Sequence, residues 1–405
     1  MKHSIAQAAA LLVFSGASAF AQPQYTIVNI GTVNMTDSAA QGFGISPGGV
    51  GFGRSVGTTA TAFSWTSVGG IMGLGTFPGR TFYVGNGAND TGLVVGNAST
   101  TLSGAGSLPV LWTGGVASQL PLISPQTVGR ASDVNSAGQV VGSNSSGSAE
   151  FAVIWSGGVP SAITTSTPGG AFLRVAFRIN DAGQVVGQGI DPNNAARNVG
   201  ILYNHPSGTA VEIPPLPGLN GALTFDVSEN GYVVGSSMLN QGSGLPFIWD
   251  AVHRSTAIPL PPGTSQGSAR AVNSSGWAVG TASGAFAVPF LFDGASTYRL
   301  QDLIPAGTGW DLAMNTSSSA LGISESGTIV GTGLFNGQIR AYAMIPVPPS
   351  CPCDWNTDGT ISSQDFFDFL TAFFDSNADF NHSGATDSQD FFDFIACLFA
   401  PPVGC

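Results

Sequence analysis

The residues with the clearest chemical potential lie near the C-terminus, where one twelve-residue pattern occurs twice. The segments DWNTDGTISSQD, from Asp354, and DFNHSGATDSQD, from Asp379, are offset by 25 residues. Both carry oxygen donors at positions 1, 3, 5, 7, 9 and 12 and a glycine at position 6, as calcium-binding loops do. Ca²⁺ is a hard cation that takes about six to eight oxygen ligands. The pattern therefore predicts two bound calcium ions.

Each loop brings three carboxylates to these positions. Ser383 stands in the second loop where the first has Asp358, and Asp387 restores the charge. The predicted ligands are Asp354, Asn356, Asp358, the Thr360 carbonyl, Ser362 and Asp365 in the first loop, and Asp379, Asn381, Ser383, the Ala385 carbonyl, Asp387 and Asp390 in the second.

A predicted phenylalanine-rich helix follows each loop, SQDFFDFLTAFF from Ser363 and SQDFFDFIACLF from Ser388. Its apolar stripe is too large for so small a module to bury completely, so part should be core and part an apolar partner surface. All four cysteines lie in residues 351–405, and an even number in a small exported module predicts disulfides. Cys351 and Cys353 are too close to pair with each other, so each should join Cys397 or Cys405, and both pairings stay open.

An aspartate at position 12, and no helix before the first loop, distinguish this module from an EF-hand. Residues 351–405 resemble a dockerin, in its cysteine-flanked variant ending in Gly404-Cys405. The resemblance implies attachment to a cohesin-like or other cell-surface protein.

The acidity of the chain is concentrated in this module. The formal charge is −12, yet residues 22–346 hold 10 Arg against 14 Asp and Glu, whereas residues 351–405 hold nine Asp and no Lys or Arg. Nucleic-acid binding, which needs a basic face, is not expected.

The N-terminus has the pattern of a secretory signal peptide. Lys2 precedes an apolar run that ends in Ala19-Phe20-Ala21, which predicts cleavage after residue 21. The run is too short to span a membrane, and no other stretch approaches 18 apolar residues. The mature chain is therefore expected to be extracellular, secreted or associated with the cell surface, without a membrane span.

Between these ends, one nonapeptide occurs seven times, in forms such as VNSAGQVVG from Val134 and INDAGQVVG from Ile179. The copies begin at 45, 88, 134, 179, 227, 272 and 323, a spacing of 43 to 51 residues that is typical of propeller blades or two-helix repeats. Helix formers are scarce and Val, Ile and Phe alternate with Gly and Ser, which favours strands. In VNSAGQVVG, Asn135 and Gly138 suit a tight hairpin turn.

Two further phrases follow each hairpin, an apolar strand such as AVIW (152–155) and a proline-containing phrase such as EIPPLPG from Glu212. Four short strands per period predict an all-β, seven-bladed β-propeller at 22–345. The seventh copy ends after AYAM (341–344) without a fourth strand, so YTIVNIG (25–31) is predicted to close the ring. A Pro-rich linker (346–350) and the small α-helical dockerin-like module (351–405) follow. Residues 25–345 resemble the extracellular HAF repeat, which has a His/Ala-Ala-Phe-x-Trp strand and an Ile-Asn-x-x-Gly-x-Val-Val-Gly hairpin. The histidine of that strand is absent here, where the sequence reads Thr61-Ala62-Phe63. The resemblance implies secretion and a repeat fold, not a reaction.

The propeller shows no nucleophile motif, and no catalytic residue is predicted. Asp90, Asp181 and Glu229 lie in hairpin turns, where short polar side chains bond locally. Arg54, Arg130, Arg178 and Arg270 recur near the hairpins, and either bond loop carbonyls or form an anion site.

The favoured hypothesis is a secreted, non-catalytic binding or scaffold protein, merging into a matrix or adhesion protein whose propeller binds a polysaccharide or a protein. The alternative is a carbohydrate-active hydrolase with a dockerin-like anchor, which converging acids at the propeller mouth would favour.

Overall fold

The computed structural model describes residues 22–146, 149–194, 197–239, 242–347, 351–381, 383–401 and 405. The predicted signal peptide, 1–21, and most of the predicted linker, 348–350, lie outside these residues. The chain divides into a sheet unit, Tyr25–Pro346, and a C-terminal unit that begins at Val347. No helix among the described residues is long and apolar enough to cross a bilayer.

The sheet unit is built from short strands, as the alternating pattern predicted. In the first half they are β1 (Tyr25–Asn29), β2 (Ala39–Ile45), β3 (Gly51–Val56), β4 (Ala60–Thr66), β5 (Gly70–Gly73), β6 (Phe82–Ala88), β7 (Val94–Ser99), β8 (Leu108–Thr113), β9 (Val116–Gln119), β10 (Val128–Val134), β11 (Val140–Ser146), β12 (Ala149–Ser156) and β13 (Val159–Ala162).

The second half continues the same succession, with one short 3-10 helix at Leu300–Leu303. Its strands are β14 (Phe172–Ile179), β15 (Gln184–Ile190), β16 (Asn198–Asn204), β17 (Thr209–Ile213), β18 (Gly221–Val227), β19 (Val233–Met238), β20 (Gly244–Asp250), β21 (Arg254–Ala257), β22 (Gln266–Val272), β23 (Ala278–Ser283), β24 (Ala287–Phe292), β25 (Thr297–Arg299), β26 (Trp310–Asp311), β27 (Ser319–Ile323), β28 (Ile329–Phe335) and β29 (Gln338–Pro346).

Each repeat forms an antiparallel sheet in chain order. β10–β13, β14–β17, β18–β21 and β22–β25 are separate four-stranded sheets, and β2–β5 and β6–β9 follow the same order but are joined by a parallel bridge between Ala60 and Phe82. In the last sheet β26 and β27 both pair with β28, which pairs with β29. The predicted pairing of the first strand with the last repeat is present, because β1 lies antiparallel to β29 from Tyr25↔Pro346 to Asn29↔Tyr342.

The nonapeptide forms the turn between the first two strands of each repeat. In the third copy the Asn135 side chain accepts a hydrogen bond from the Gln139 N–H at 3.0 Å, and Gly138 has a φ of +73°. A left-handed φ is strained for residues with a Cβ, which accounts for the glycine at this position.

The proline-containing phrases only begin in the fourth strand and then connect one repeat to the next. β17 ends at Ile213, the second residue of EIPPLPG, and the prolines that follow lead to β18. Proline has no N–H for a ladder bond, so a proline-rich segment ends a strand readily. The connections also accept hydrogen bonds from core side chains: the indole N–H of Trp155 donates to the Pro121 carbonyl at 2.7 Å.

The first strand of every repeat carries a β-bulge at the same place. In β10, for example, Ala131 pairs with Gly142 and Asp133 with Val141, so Ser132 is an extra residue without a partner. A bulge re-aims the side chain of the extra residue. The seven bulge residues are Phe43, Asn86, Ser132, Phe177, Phe225, Arg270 and Leu321.

The C-terminal unit contains two helices, α1 (Ser363–Phe374) and α2 (Ser388–Phe399). Ser362 caps the first helix and Asp387 the second, each in a reciprocal capping box. The rings of Phe369 and Phe394 are fully buried and stack with their centroids 4.0 Å apart.

Candidate functional site

Two cavities share Arg178 in the sheet unit, and we name them by their lining. The acidic cavity lies among the hairpin turns and holds only about 60 Å³. Small-molecule sites usually measure about 300–1,000 Å³, so this cavity is too small for a sugar substrate. Its ionisable residues are Asp90, Asp133, Asp181, Asp226, Glu229, Glu325 and Arg178.

The turn carboxylates join neighbouring repeats, so the prediction of local bonding was wrong. Asp90 accepts hydrogen bonds from the Ser46 hydroxyl at 2.6 Å and the Gly48 N–H at 2.7 Å. Asp181 accepts one from the Ser136 N–H at 2.7 Å, and Glu229 accepts one from the Asp181 N–H at 2.8 Å. The acids therefore converge, as the hydrolase hypothesis required. Their carboxylates are, however, occupied by hydrogen bonds from neighbouring hairpins.

Asparagine side chains make a second set of bonds between the repeats. The Asn89 amide donates to the Asn135 carbonyl at 2.9 Å, Asn135 to the Asn180 carbonyl at 3.1 Å, and Asn180 to the Ser228 carbonyl at 2.8 Å. These asparagines are almost fully buried. Asparagine suits the position because its oxygen closes its own turn while its amide reaches the next one.

Deeper in the acidic cavity, Arg178 lies near the carboxylates of Asp133 and Asp226. Its Nε is 3.8 Å from Asp226, and its Nη1 donates to the carbonyls of Asn86 and Ser132. Burial raises the pKa of Asp133 to about 6 and that of Asp226 to about 7, against the opposing effect of Arg178. Burial also raises the pKa of Glu229 to about 7.

The second cavity, which we name the bulge cavity, measures about 360 Å³ and is lined by all seven bulge residues. Arg130, Arg178 and Asn97 complete the lining, so it holds three arginines and three phenylalanines and no acid among the described residues. Three of the four recurring arginines from the sequence thus line one cavity. The phenylalanines of the lining were not predicted, because the bulges that aim them depend on the register between two strands.

The recurring arginines do not share one role. Arg178 bonds carbonyls, as the first interpretation had it, whereas Arg130 forms an ion pair with Glu150 at 3.1 Å. Arg54 donates to the Gln41 side chain at 2.8 Å. The guanidinium of Arg270 lies 4.2 Å from the centroid of the Phe225 ring.

In the C-terminal unit, the carboxylates predicted as ligands in the first loop accept hydrogen bonds from backbone N–H groups of the same loop. The Asp354 carboxylate accepts from the N–H groups of Asp358 at 3.0 Å and Gly359 at 2.8 Å. Asp365 is fully buried and accepts from Asn356 at 3.2 Å and Ser362 at 2.8 Å. Asp358 accepts from Thr360, whose side chain lowers the pKa of the Asp358 carboxyl.

The second loop repeats these bonds at an offset of 25 residues. Asp379 accepts from the N–H groups of Ser383 and Gly384, both at 2.8 Å. Asp390 is fully buried and accepts from Asn381 at 3.0 Å and Asp387 at 2.8 Å. Its hydrogen bond from the Asp387 backbone keeps the pKa of Asp390 below its usual value. The Ser383 hydroxyl donates to the carbonyl of Ala385, the predicted position 7, at 3.3 Å.

Asp368 on α1 and Asp393 on α2 also hold the two loops through hydrogen bonds. The amide of Asn356 donates to Asp368 at 3.3 Å, and that of Asn381 donates to Asp393 at 3.0 Å. The repeated DFFD was their only sequence signal. Within the described residues, no three His, Cys, Asp or Glu side chains form a group that could hold a metal ion. The donor set nevertheless fits calcium, because the loop positions supply carboxylate, amide, hydroxyl and carbonyl oxygens.

The structure resolves which cysteines pair. Cys351 bonds Cys405 and Cys353 bonds Cys397, so the disulfide prediction is confirmed. The pairs span 54 and 44 residues. Both link the start of the unit to its end, which is compatible with an extracellular protein.

Neither protein-family models nor curated protein sequences gave a match to the chain. Similar solved structures include an oligogalacturonate lyase in complex with manganese, at 12% identity and a TM-score of 0.50, covering 81% of this chain and 94% of that one. The β-propeller domain of the Trilobed protease from Pyrococcus furiosus matches at 9% identity and a TM-score of 0.40, covering 67% of this chain and 84% of that one. TolB from Acinetobacter baumannii matches at 10% identity and a TM-score of 0.42, covering 76% of this chain and only 63% of its own length.

At such identities the likeness concerns the fold alone. A succession of four-stranded antiparallel sheets in chain order is the organisation of a β-propeller. The sheet unit is therefore a fold of the β-propeller type, and the all-β prediction is confirmed for this unit.

Proposed function

We propose that this chain is a secreted, non-catalytic binding protein with two functional parts. The sheet unit is a seven-bladed HAF-repeat propeller, closed by β1, that presents a ligand-binding face. The C-terminal unit is a dockerin-like module, loaded with two calcium ions, that attaches the propeller to a cohesin-like protein at the cell surface or in the extracellular space.

Contacts between the first and last sheets support the closed ring. The Thr332 hydroxyl, in β28, donates to the Gly42 carbonyl in β2 at 3.4 Å. A Cβ added to Gly322 would lie 2.7 Å from the Cα of Gly44, so the two strands approach as closely as glycine allows. All seven bulge residues also line one cavity, which is what one blade per repeat would give.

Four exposed phenylalanines carry the docking proposal. Phe367 and Phe374 on α1 are 58% and 79% exposed, and Phe392 and Phe399 on α2 are 62% and 82% exposed. Within each helix the pair is seven residues apart and therefore lies on one face. A module that buries Phe369 and Phe394 fully but leaves these four rings in water presents an apolar surface suited to a protein partner.

Calcium loading is tested by titration calorimetry on the mature full chain. We expect two ions per chain, and loss of binding in the double variant Asp354→Ala, Asp379→Ala. Asp375→Ala, which changes an aspartate at the end of α1 outside both loops, is the matched control. Equal binding by the wild type and the double variant would contradict the proposed ligands.

Docking is tested with the same chain immobilised and exposed to the organism's envelope fraction. We expect one protein to be retained with calcium and released by chelator. The variant Phe374→Ser, Phe399→Ser should lose it, whereas Val252→Ser, at an 81% exposed valine of the sheet unit, should keep it. Retention by the phenylalanine variant would overturn the docking surface.

A second candidate, a carbohydrate-active hydrolase, draws on the acids that line the acidic cavity and on the raised pKa of Glu229. Two observations argue against this candidate. The acidic cavity measures only about 60 Å³, and backbone N–H groups already donate hydrogen bonds to the carboxylates of Asp90, Asp181 and Glu229. Release of reducing sugar from a polysaccharide panel by the wild type, abolished in Glu229→Gln, would establish this alternative.

A further inference from the structure

The bulge cavity has the size and the wall chemistry of a ligand site. Its volume of about 360 Å³ falls in the usual range for small molecules, roughly 300–1,000 Å³. Phe177 and Phe225 stack with their centroids 6.1 Å apart, and they form an apolar wall beside Arg270. Such a wall suits a ligand with one flat apolar face.

Arg270 is the member of this lining whose charge has no counterpart. Arg130 is paired with Glu150, which also pairs with Arg174, and Arg178 is bonded to carbonyls beside Asp226. Arg270 forms no ion pair or hydrogen bond within the described part of the chain, and its contact is with the face of Phe225. Burial lowers the pKa of Arg270, and the nearby charge of Arg178 lowers it further.

The partly buried guanidinium of Arg270 contacts an aromatic ring but has no hydrogen-bond acceptor among the described residues, so its N–H donors are available to a ligand in the cavity. An anionic group is the partner that would satisfy it best, since carboxylates and sulfates match its fork of donors. Among the described residues, the lining of the bulge cavity holds three arginines and no acid, whereas that of the acidic cavity holds six acids and one arginine, so an anion is favoured in the bulge cavity over the acidic one.

We propose that the bulge cavity binds an acidic sugar unit, with the anionic group on Arg270 and the apolar face of the sugar against Phe177. This inference deepens the proposed binding role of the propeller and is independent of docking by the C-terminal unit. It adds a site and a ligand class to the sheet unit.

The test is titration of the mature chain, in the presence of chelator, with glucuronate, glucose and inorganic sulfate. We expect glucuronate to bind, glucose not to bind at the same concentrations, and sulfate to bind more weakly while competing for the site. Chelator keeps the outcome separate from calcium-dependent docking. Absence of glucuronate binding, or equal affinity for sulfate, would overturn the proposal.

The decisive variant is Arg270→Gln, which removes the charge and keeps most of the length. Glucuronate affinity should fall at least roughly tenfold, because a hydrogen bond to a charged group is worth about 1.5–3 kcal/mol. The melting temperature of the ligand-free variant should stay close to that of the wild type, because Arg270 forms no ion pair or hydrogen bond within the described residues. An unchanged melting temperature would exclude unfolding as the cause of lost binding. Unchanged affinity in Arg270→Gln would refute the site.

Two further variants separate the charge from the wall. Phe177→Leu should weaken glucuronate while leaving sulfate nearly unchanged, because Phe177 lines the cavity whereas the guanidinium of Arg270 lies over Phe225. Arg174→Gln, which changes an arginine paired with Glu150 outside the cavity lining, is the matched control and should bind as the wild type does. An equal loss in Arg174→Gln and Arg270→Gln would mean that only general charge matters, and would count against the proposal.

Discussion

In the sheet unit, the carboxylates of Asp90, Asp181 and Glu229 accept hydrogen bonds from residues 42 to 48 positions away. In the C-terminal unit, those of Asp354 and Asp379 accept them from residues four and five positions away. Acidic side chains thus join separate repeats in one unit and shape single loops in the other.

The two units are stabilised in different ways. The sheet unit distributes its stability over many similar contacts, so that each bond is a small part of the total. The C-terminal unit has 59 residues from Val347 to Cys405, a size at which a core alone gives little stability and disulfides or metals are commonly needed. Single changes should therefore be severe in the C-terminal unit and graded in the sheet unit.

The largest effect is expected from opening the disulfide in the C-terminal unit that closes 44 residues. The double variant Cys353→Ser, Cys397→Ser should destabilise this unit by about 4 kcal/mol, by the chain-entropy estimate for a loop of this length. Limited proteolysis should then remove α1 and α2, while the melting temperature of the sheet unit stays unchanged. A parallel drop in the sheet unit would mean that the two units are not stabilised separately.

A smaller effect concerns pH and the buried acids of the sheet unit. Because the folded-state pKa values of Asp133 and Asp226 are raised to about 6 and about 7, the folded chain binds more protons than the unfolded chain between roughly pH 4 and 7. Their contribution to stability is fully present below the unfolded pKa and is lost as the pH rises. Asp226→Asn should remove a decline of at most about 4 kcal/mol across this range, measured by denaturant melts at several pH values. Identical pH slopes in variant and wild type would exclude Asp226 as a source.

The smallest effect separates the two roles of a turn asparagine. Asn135→Ala loses the bond that closes its own turn and the one that reaches Asn180, at a cost of roughly 1–3 kcal/mol. Asn135→Ser should cost only about 1 kcal/mol, since a serine closes the equivalent turn at Ser46, Ser228 and Ser324. Equal losses in the two variants would show that only the bond between repeats matters.

Local patterns predicted much of the architecture. Asn135 and Gly138 were sufficient to predict a hairpin, and the strand containing Trp155 was predicted from its apolar run, because both depend on neighbours in the chain. The partners of Asp181 and Arg130 could not be predicted, since Ser136 and Glu150 reach them only once strands have paired. The loop-helix pattern of the C-terminal unit was predicted for the same local reason, whereas the choice between two disulfide pairings required the fold.

The bulge divides each repeat into two kinds of position. The turn residues recur because they close the hairpins and bond neighbouring repeats. The residue displaced by the bulge differs between repeats in size, charge and polarity. A library of substitutions at these positions would sample new ligand preferences without altering the hydrogen bonds between turns; within the described residues, only the Asn86 side chain among them also bonds the next repeat, through the Ala131 carbonyl. The positions are Phe43, Asn86, Ser132, Phe177, Phe225, Arg270 and Leu321.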